Sequence, residues 1–150
     1  MRLRNRMKLE FLSRPENVSL ARVAIATFAT EVDFNLSDLE EIKVAVSEAV
    51  SNAIVHGYEE KPTGTILVTA NLYQDVLEII VEDEGKGIAD LTQALQPGGN
   101  ADPERMGLGF VFMKSFMDEV DVWSELGQGT RVKLVKILPG TQRTQKYAEN

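Results

Sequence analysis

Glu48 and Asn52 lie four residues apart in a segment whose apolar residues, Ile42, Val46, Ala49, Val50 and Ala53, recur at helical spacing. Residues i and i+4 stack on one side of a helix. A carboxylate and a carboxamide flanking such a stripe can meet a metal ion or a ligand held above a sheet. The same spacing fits the solvated polar edge of an amphipathic helix, and the pair alone does not separate the two. A second acid stands in a different setting. Leu77, Ile79 and Val81 alternate along a strand pattern and share a face with Asp83. An acid at the end of an apolar row needs a donor, because an unpaired buried charge is costly. The exocyclic amine of a purine is one such donor, and the backbone N–H groups of the following turn are another. Gly85 and Gly87 come next. Without Cβ atoms they let the backbone turn sharply and approach a flat ligand.

A third segment, Gly107-Leu108-Gly109, opens an apolar helical pattern. A glycine-rich turn at a helix N-terminus offers free N–H groups and a positive dipole end to phosphate. Alone, this spacing is also that of an ordinary turn. Arg105 precedes it and is within reach of a terminal phosphate, or is a solvated surface charge. Gly127-Gln128-Gly129-Thr130 reads by itself as a hairpin turn.

The elements that must position these residues follow from periodicity. Ser13 and Glu16 have capping-box spacing, with Pro15 in the first turn, and Val18, Ala21, Ile25, Phe28, Ala29 and Val32 continue at helical spacing. A first helix is expected over 14–32. Ser37 and Glu40 repeat the capping pattern ahead of a second helix that runs to His56 and stops at Gly57. Thr65 to Tyr73 and Val76 to Asp83 form a hairpin across Gln74-Asp75. Residues 85–105 read as a loop with one short helix near 90–95, 108–117 as a helix, and 120–124 and 130–137 as strands. Residues 7–12 form an N-terminal strand. Helices early and strands in consecutive pairs predict an α+β fold: a two-layer sandwich whose mixed, mostly antiparallel sheet carries helices on one face. Residues 1–138 are expected to form a single domain and 139–150 a polar, flexible tail.

Composition bounds the function. The 150 residues make about one domain, and 43% of them are hydrophobic, enough for a core. Sixteen basic residues against 23 acidic ones leave −7. So acidic a chain is a poor match for direct nucleic-acid binding. With no cysteine and one histidine, His56, a disulfide scaffold, a thiolate nucleophile and a His-based metal cluster are disfavoured. Residues 1–8 hold Arg2, Arg4, Arg6 and Lys8 and no acid, so the remaining residues carry 12 − 23 = −11. That basic cluster reads as a solvated lead-in to the first strand or as one side of an ion pair with a second copy. No apolar run approaches the ~18 residues of a membrane span, nor is there a secretory leader. A cytoplasmic location is expected.

The order of the motifs is more specific than any one of them. E-x-x-x-N on a helix, D-x-G-x-G after a strand, G-x-G before a helix and G-x-G-T between strands resemble the GHKL ATPase superfamily, which includes gyrase and the histidine kinases. The resemblance spans about 39–135. Within it, Glu48-Ala-Val-Ser-Asn-Ala-Ile-Val-His-Gly-Tyr58, Gly107-Leu-Gly-Phe and Phe116-Met-Asp-Glu-Val120 look like the anti-sigma F factors of spore-forming bacteria, a family of serine kinases. The resemblance implies the ATP-binding fold of that superfamily, with ATP or ADP and Mg²⁺ as cofactors. It implies Asn52 as the Mg²⁺ ligand and Asp83 as acceptor for the adenine amine, with Gly85 and Gly87 letting the base lie close. Gly107, Leu108 and Gly109 would contact phosphate, Thr130 would support the adenine end, Glu48 would be the general base and Arg105 would steady the γ-phosphate. Arg22 matches a partner-contacting arginine. Segment 96–105 is shorter and more glycine-rich than the usual nucleotide lid.

By that resemblance the expected activity is sequestration of a sporulation-type sigma factor (sigma F type) together with MgATP-dependent phosphorylation of a serine on an anti-anti-sigma protein. The alternative is a nucleotide-dependent sigma-binding module without significant kinase activity. A sensor histidine kinase needs a phosphoacceptor histidine on a separate dimerising helix, whereas His56 ends the presumed nucleotide helix. A homodimer is expected, with the N-terminal strand and its basic cluster at the interface.

Overall fold

A computed structural model describes residues 2–91 and 106–140. In chain order it contains β1 (Leu3–Leu12), α1 (Asn17–Ala29), α2 (Leu36–Asn52), a π-helical turn (Ala53–Gly57), β2 (Thr65–Tyr73), β3 (Val76–Asp83), α3 (Met106–Phe116), β4 (Glu119–Glu125) and β5 (Gly129–Ile137). The strands form one five-stranded sheet in the order β1-β2-β3-β5-β4. All its pairings are antiparallel, so the sheet expected to be mixed has no parallel pair among the described residues. One face of it is covered by the helices. Ile25 of α1, Ile42, Val46 and Val50 of α2, and Phe110 and Met113 of α3 are buried against Ile66, Val68, Leu77, Ile79 and Leu134 of the sheet.

The hairpin β2–β3 has the expected ends, because alternating β-branched residues and a two-residue turn fix its register. The helix starts differ from expectation. Glu16 makes no side-chain cap and α1 begins at Asn17. Ser13 is fully buried instead. Its hydroxyl donates to the Lys61 carbonyl at 2.6 Å and accepts from the Gly64 N–H at 2.9 Å, tying the end of β1 to the entry of β2. At α2 the capping box is Asn35 and Asp38, not Ser37 and Glu40. The Asn35 side chain accepts from the Asp38 N–H at 2.8 Å, and the Asp38 carboxylate accepts from the Asn35 N–H at 3.0 Å.

The end of α2 also departs from the expected α-helix running to His56. The Tyr58 N–H donates to the Ala53 carbonyl at 2.9 Å, a bond across five residues. The strand expected over 7–12 begins at Leu3, so Arg4, Arg6 and Lys8 belong to an edge strand rather than to a lead-in. The short helix expected near 90–95 lies outside the described residues except at its first positions, as does the tail beyond Gly140. No helix among the described residues is long and apolar enough to cross a membrane.

Candidate functional site

A cleft opens where the end of α2, the end of β3, the start of β5 and the first turns of α3 converge. Asn52, Gly57, Asp83, Gly87, Phe110 and Thr130 line it. Residues from four separate segments thus meet because α2 and α3 cross the same end of the sheet that β3 and β5 reach side by side.

Asp83 and Thr130 are directly opposite each other on neighbouring strands. The Asp83 carboxylate accepts from the Gly85 N–H at 2.8 Å and from the Thr130 N–H. The acid therefore does cap its own following turn, and it also faces the cleft. Burial pushes its pKa up from 3.8 to about 6, against the lowering effect of the Gly85 and Thr130 N–H groups. Desolvation outweighs those bonds. A further donor in the cleft would favour the ionised form of this carboxylate.

At the other end, a Cβ built on Gly109 would stand 2.9 Å from Glu48 Oε1 and 3.5 Å from Asn52 Nδ2. Glycine at this position lets α3 lie directly on the two polar side chains of α2. Glu48, Asn52 and Gly109 are thereby brought together, as their motif order suggests. Asn52 Nδ2 is buried and has no hydrogen-bond partner among the described residues. The two ends of a carboxamide exchange by a half-turn, so an orphaned amide is a polar group aimed at something that supplies its complement. A neutral amide oxygen beside a carboxylate is a hard-donor set suited to Mg²⁺, which takes few protein oxygens and completes its shell with water and phosphate. No group of three or more His, Cys, Asp or Glu side chains able to hold a metal exists among the described residues.

The glycines after Asp83 serve the chain before they serve a ligand. A Cβ on Gly85 would lie 2.2 Å from the Gly57 carbonyl oxygen, and one on Gly87, which has φ +76°, would lie 2.2 Å from that of Glu125. Gly107 and Gly109 are buried in the first turns of α3. The Leu108 side chain is exposed and is not among the residues that line the cleft. Arg22 lies between α1 and α2, its guanidinium donating to Ser19 Oγ at 2.9 Å and Ser47 Oγ at 3.3 Å, and it is not part of the cleft lining. Arg105 lies outside the described residues.

Two supporting residues had no signal of their own in the sequence. The Tyr58 hydroxyl donates to the Thr65 carbonyl at 2.6 Å and accepts from the Glu84 N–H at 2.7 Å. It clamps the residue after Asp83 to the start of β2. Ser124 lies behind Thr130, with their side-chain oxygens 2.7 Å apart. A tyrosine after a helix stop and a serine in an alternating strand are too ordinary to stand out.

The sequence profile of the histidine kinase-like ATPase domain matches residues 11–136. The chain is 46% identical over 139 residues to the anti-sigma F factor of Heyndrickxia coagulans, covering 91% of this chain and 95% of that one. It is 46% identical over 136 residues to the anti-sigma F factor of Clostridium acetobutylicum, covering 89% and 94%. Among solved structures, the RsbU and RsbW domains of a Mycobacterium tuberculosis protein superpose with a TM-score of 0.64 at 22% identity, over 90% of this chain and 32% of that one. A blue-light activated histidine kinase of Erythrobacter litoralis gives 0.54 at 24% identity, over 77% and 33%. This chain spans about a third of each of those longer chains, and the likeness supports the fold. By its domain and its full-length relatives, the chain belongs to the anti-sigma F factor family of histidine kinase-like (GHKL) ATPase domains.

Proposed function

We propose that the chain sequesters a sigma factor of the sigma F type and uses MgATP to phosphorylate a serine on the anti-anti-sigma protein that opposes it. The observation that carries this reading is the cleft with a donor-seeking acid at one end and an orphaned amide beside a carboxylate at the other. That spacing of demands suits a nucleotide, with a base that donates and a phosphate tail that brings a cation. Asp83 accepts from the adenine amine, and Thr130 flanks it. Asn52 would hold Mg²⁺ through its side-chain oxygen, and the bound cation would supply charge neutralisation on the phosphates. The N–H groups of Gly107, Leu108 and Gly109 face the phosphates from the positive end of α3. Arg105 is assigned to the γ-phosphate and Arg22, outside the cleft lining, to a protein partner.

Phosphoryl transfer asks mainly for positioning and charge balance. Glu48 orients the incoming serine hydroxyl and takes its proton as the oxygen attacks phosphorus, and the bond to the ADP oxygen breaks. General-base help of this kind is worth ~10²–10⁴ in rate. Glu48→Gln keeps the shape of the side chain but removes the base. Incubated with MgATP and the antagonist, that variant is expected to lose phosphoserine formation by at least about a hundredfold while retaining ADP affinity and sigma binding. Transfer at the wild-type rate would remove Glu48 from this role. Unchanged sequestration by the inactive variant would show binding and catalysis to be separable. That leaves the second reading, a nucleotide-dependent binding module, for a chain that sequesters without transferring phosphate.

A further inference from the structure

Behind the cleft, Asp83, Thr130 and Ser124 form one rung across β3, β5 and β4, as each is the direct register partner of the next. Among the described residues, Ser124 Oγ has three hydrogen-bonding neighbours. The Ile88 N–H donates to it at 2.8 Å, it bonds the Gly129 carbonyl oxygen at 3.0 Å, and Thr130 Oγ1 is 2.7 Å away. A hydroxyl has one proton and two acceptor lone pairs. A carbonyl oxygen only accepts, so the single Ser124 proton goes to Gly129. The Ile88 N–H occupies one lone pair. The Thr130 contact is then a hydrogen bond only if Thr130 donates its own proton to Ser124. Every valence of Ser124 is used, and the Thr130 hydroxyl is left with lone pairs alone.

We propose that Ser124 holds Thr130 as an acceptor toward the cleft and so makes the pocket select a 6-amino purine over a 6-oxo purine. The inference rests on the nucleotide reading and adds a specificity residue that touches no ligand. Asp83, once ionised, is also an acceptor. Two acceptors side by side match the two N–H bonds of one exocyclic amine. In the same pose a 6-oxo purine sets a carbonyl oxygen against both of them, and unpaired buried polar groups are what reject an analogue most strongly. Without Ser124 the Thr130 hydroxyl would rotate and donate, which would relieve half of that rejection. Ser124 is thus a positioning residue that acts through Thr130.

The test is a ratio of affinities for ADP and inosine diphosphate, which differ at this edge of the base and lack guanine's additional amine. Calorimetry at pH 7.5 is expected to show that the wild-type chain prefers ADP. In Ser124→Ala the ADP-to-IDP affinity ratio falls about tenfold, and Ser124→Thr, which keeps the hydroxyl, restores it. Thr130→Val removes the acceptor while Ser124 remains, and the same fall is expected, which covers the case of an unfolded Ser124→Ala. Equal weakening of both nucleotides, with the ratio unchanged in the variants, assigns Ser124 a purely structural role and overturns the inference. Equal binding of both by the wild type overturns it as well but leaves the nucleotide site standing. Binding of neither by the wild type brings down the nucleotide reading itself.

Discussion

Asp83 is the residue at which stability and binding pull apart. Its folded pKa of about 6 lies above the 3.8 of the free side chain, so between those values the folded chain holds a proton that the unfolded chain releases. The native state is therefore favoured at low pH, and stability from this group falls as pH rises from about 4 to 6. Above 6 the full cost of the buried carboxylate is present. A shift of about two units corresponds to about 3 kcal/mol. Asp83→Asn is expected to raise the stability of the nucleotide-free chain by about 1–3 kcal/mol at pH 7.5 and to change it little at pH 4. Urea titrations at the two pH values measure this difference, and equal effects at both would contradict it. The ligand asks for the opposite. An amine donates to the ionised carboxylate, so wild-type ADP affinity is expected to weaken as pH drops below about 6, and the amide variant to bind poorly at every pH.

The cleft is built by close approaches between elements, and two of its glycines separate folding from chemistry. A Cβ on Gly85 meets the Gly57 backbone at 2.2 Å, whereas one on Gly109 meets Glu48 Oε1, the far end of a flexible side chain, at 2.9 Å. Gly85→Ala forces two backbones apart and is expected to cost about 2–4 kcal/mol. Gly109→Ala gains helix propensity of up to about 1 kcal/mol, keeps the fold, and displaces the Glu48 carboxylate. Urea denaturation and a phosphotransfer assay run on both variants give the contrast: lost stability in the first, lost turnover at near-native stability in the second. How much of this is readable from sequence depends on the physics of each element. The β2–β3 hairpin is legible because side-chain period and turn both specify it. Glu48, Asn52 and Asp83 are legible as polar residues on definite faces, and Thr130 only through the order of the motifs. The helix starts are not, because Ser13 has the residue type of a cap but is buried between β1 and the approach to β2. Asn35, the actual cap of α2, is followed by Asp38 where the usual pattern has Glu or Gln. Ser124 is silent for a different reason: its role is a count of protons, and a count needs the neighbours.

At the scale of the molecule, the helices cover one face of the sheet and, among the described residues, leave the other open. Across that open face runs a groove of about 650 Å³ that includes Glu10, Leu67, Glu82, Trp123 and Arg131, and Trp123 is 53% exposed. Beside the groove, at the sheet's edge, β1 carries Arg4, Arg6 and Lys8. Two roles compete for those charges. Charged side chains on an edge strand discourage edge-to-edge pairing, and for that purpose either sign serves. A two-fold dimer that sets the basic strand of one copy against the acidic body of the other needs the positive sign. Arg4 donates to the Gln74 carbonyl and Arg6 to Asn71 Oδ1, so both have structural work to do. Arg2 and Lys8 are exposed and can be reversed at little cost to the fold. Arg2→Glu combined with Lys8→Glu is expected to weaken a dimer about tenfold and to reduce its sensitivity to salt, read by sedimentation equilibrium at two ionic strengths. A guard strand predicts no change in mass, because the reversed charges still repel a pairing edge. An unaltered dimer would thus return the basic cluster to that simpler duty and move the search for the interface elsewhere on the molecule.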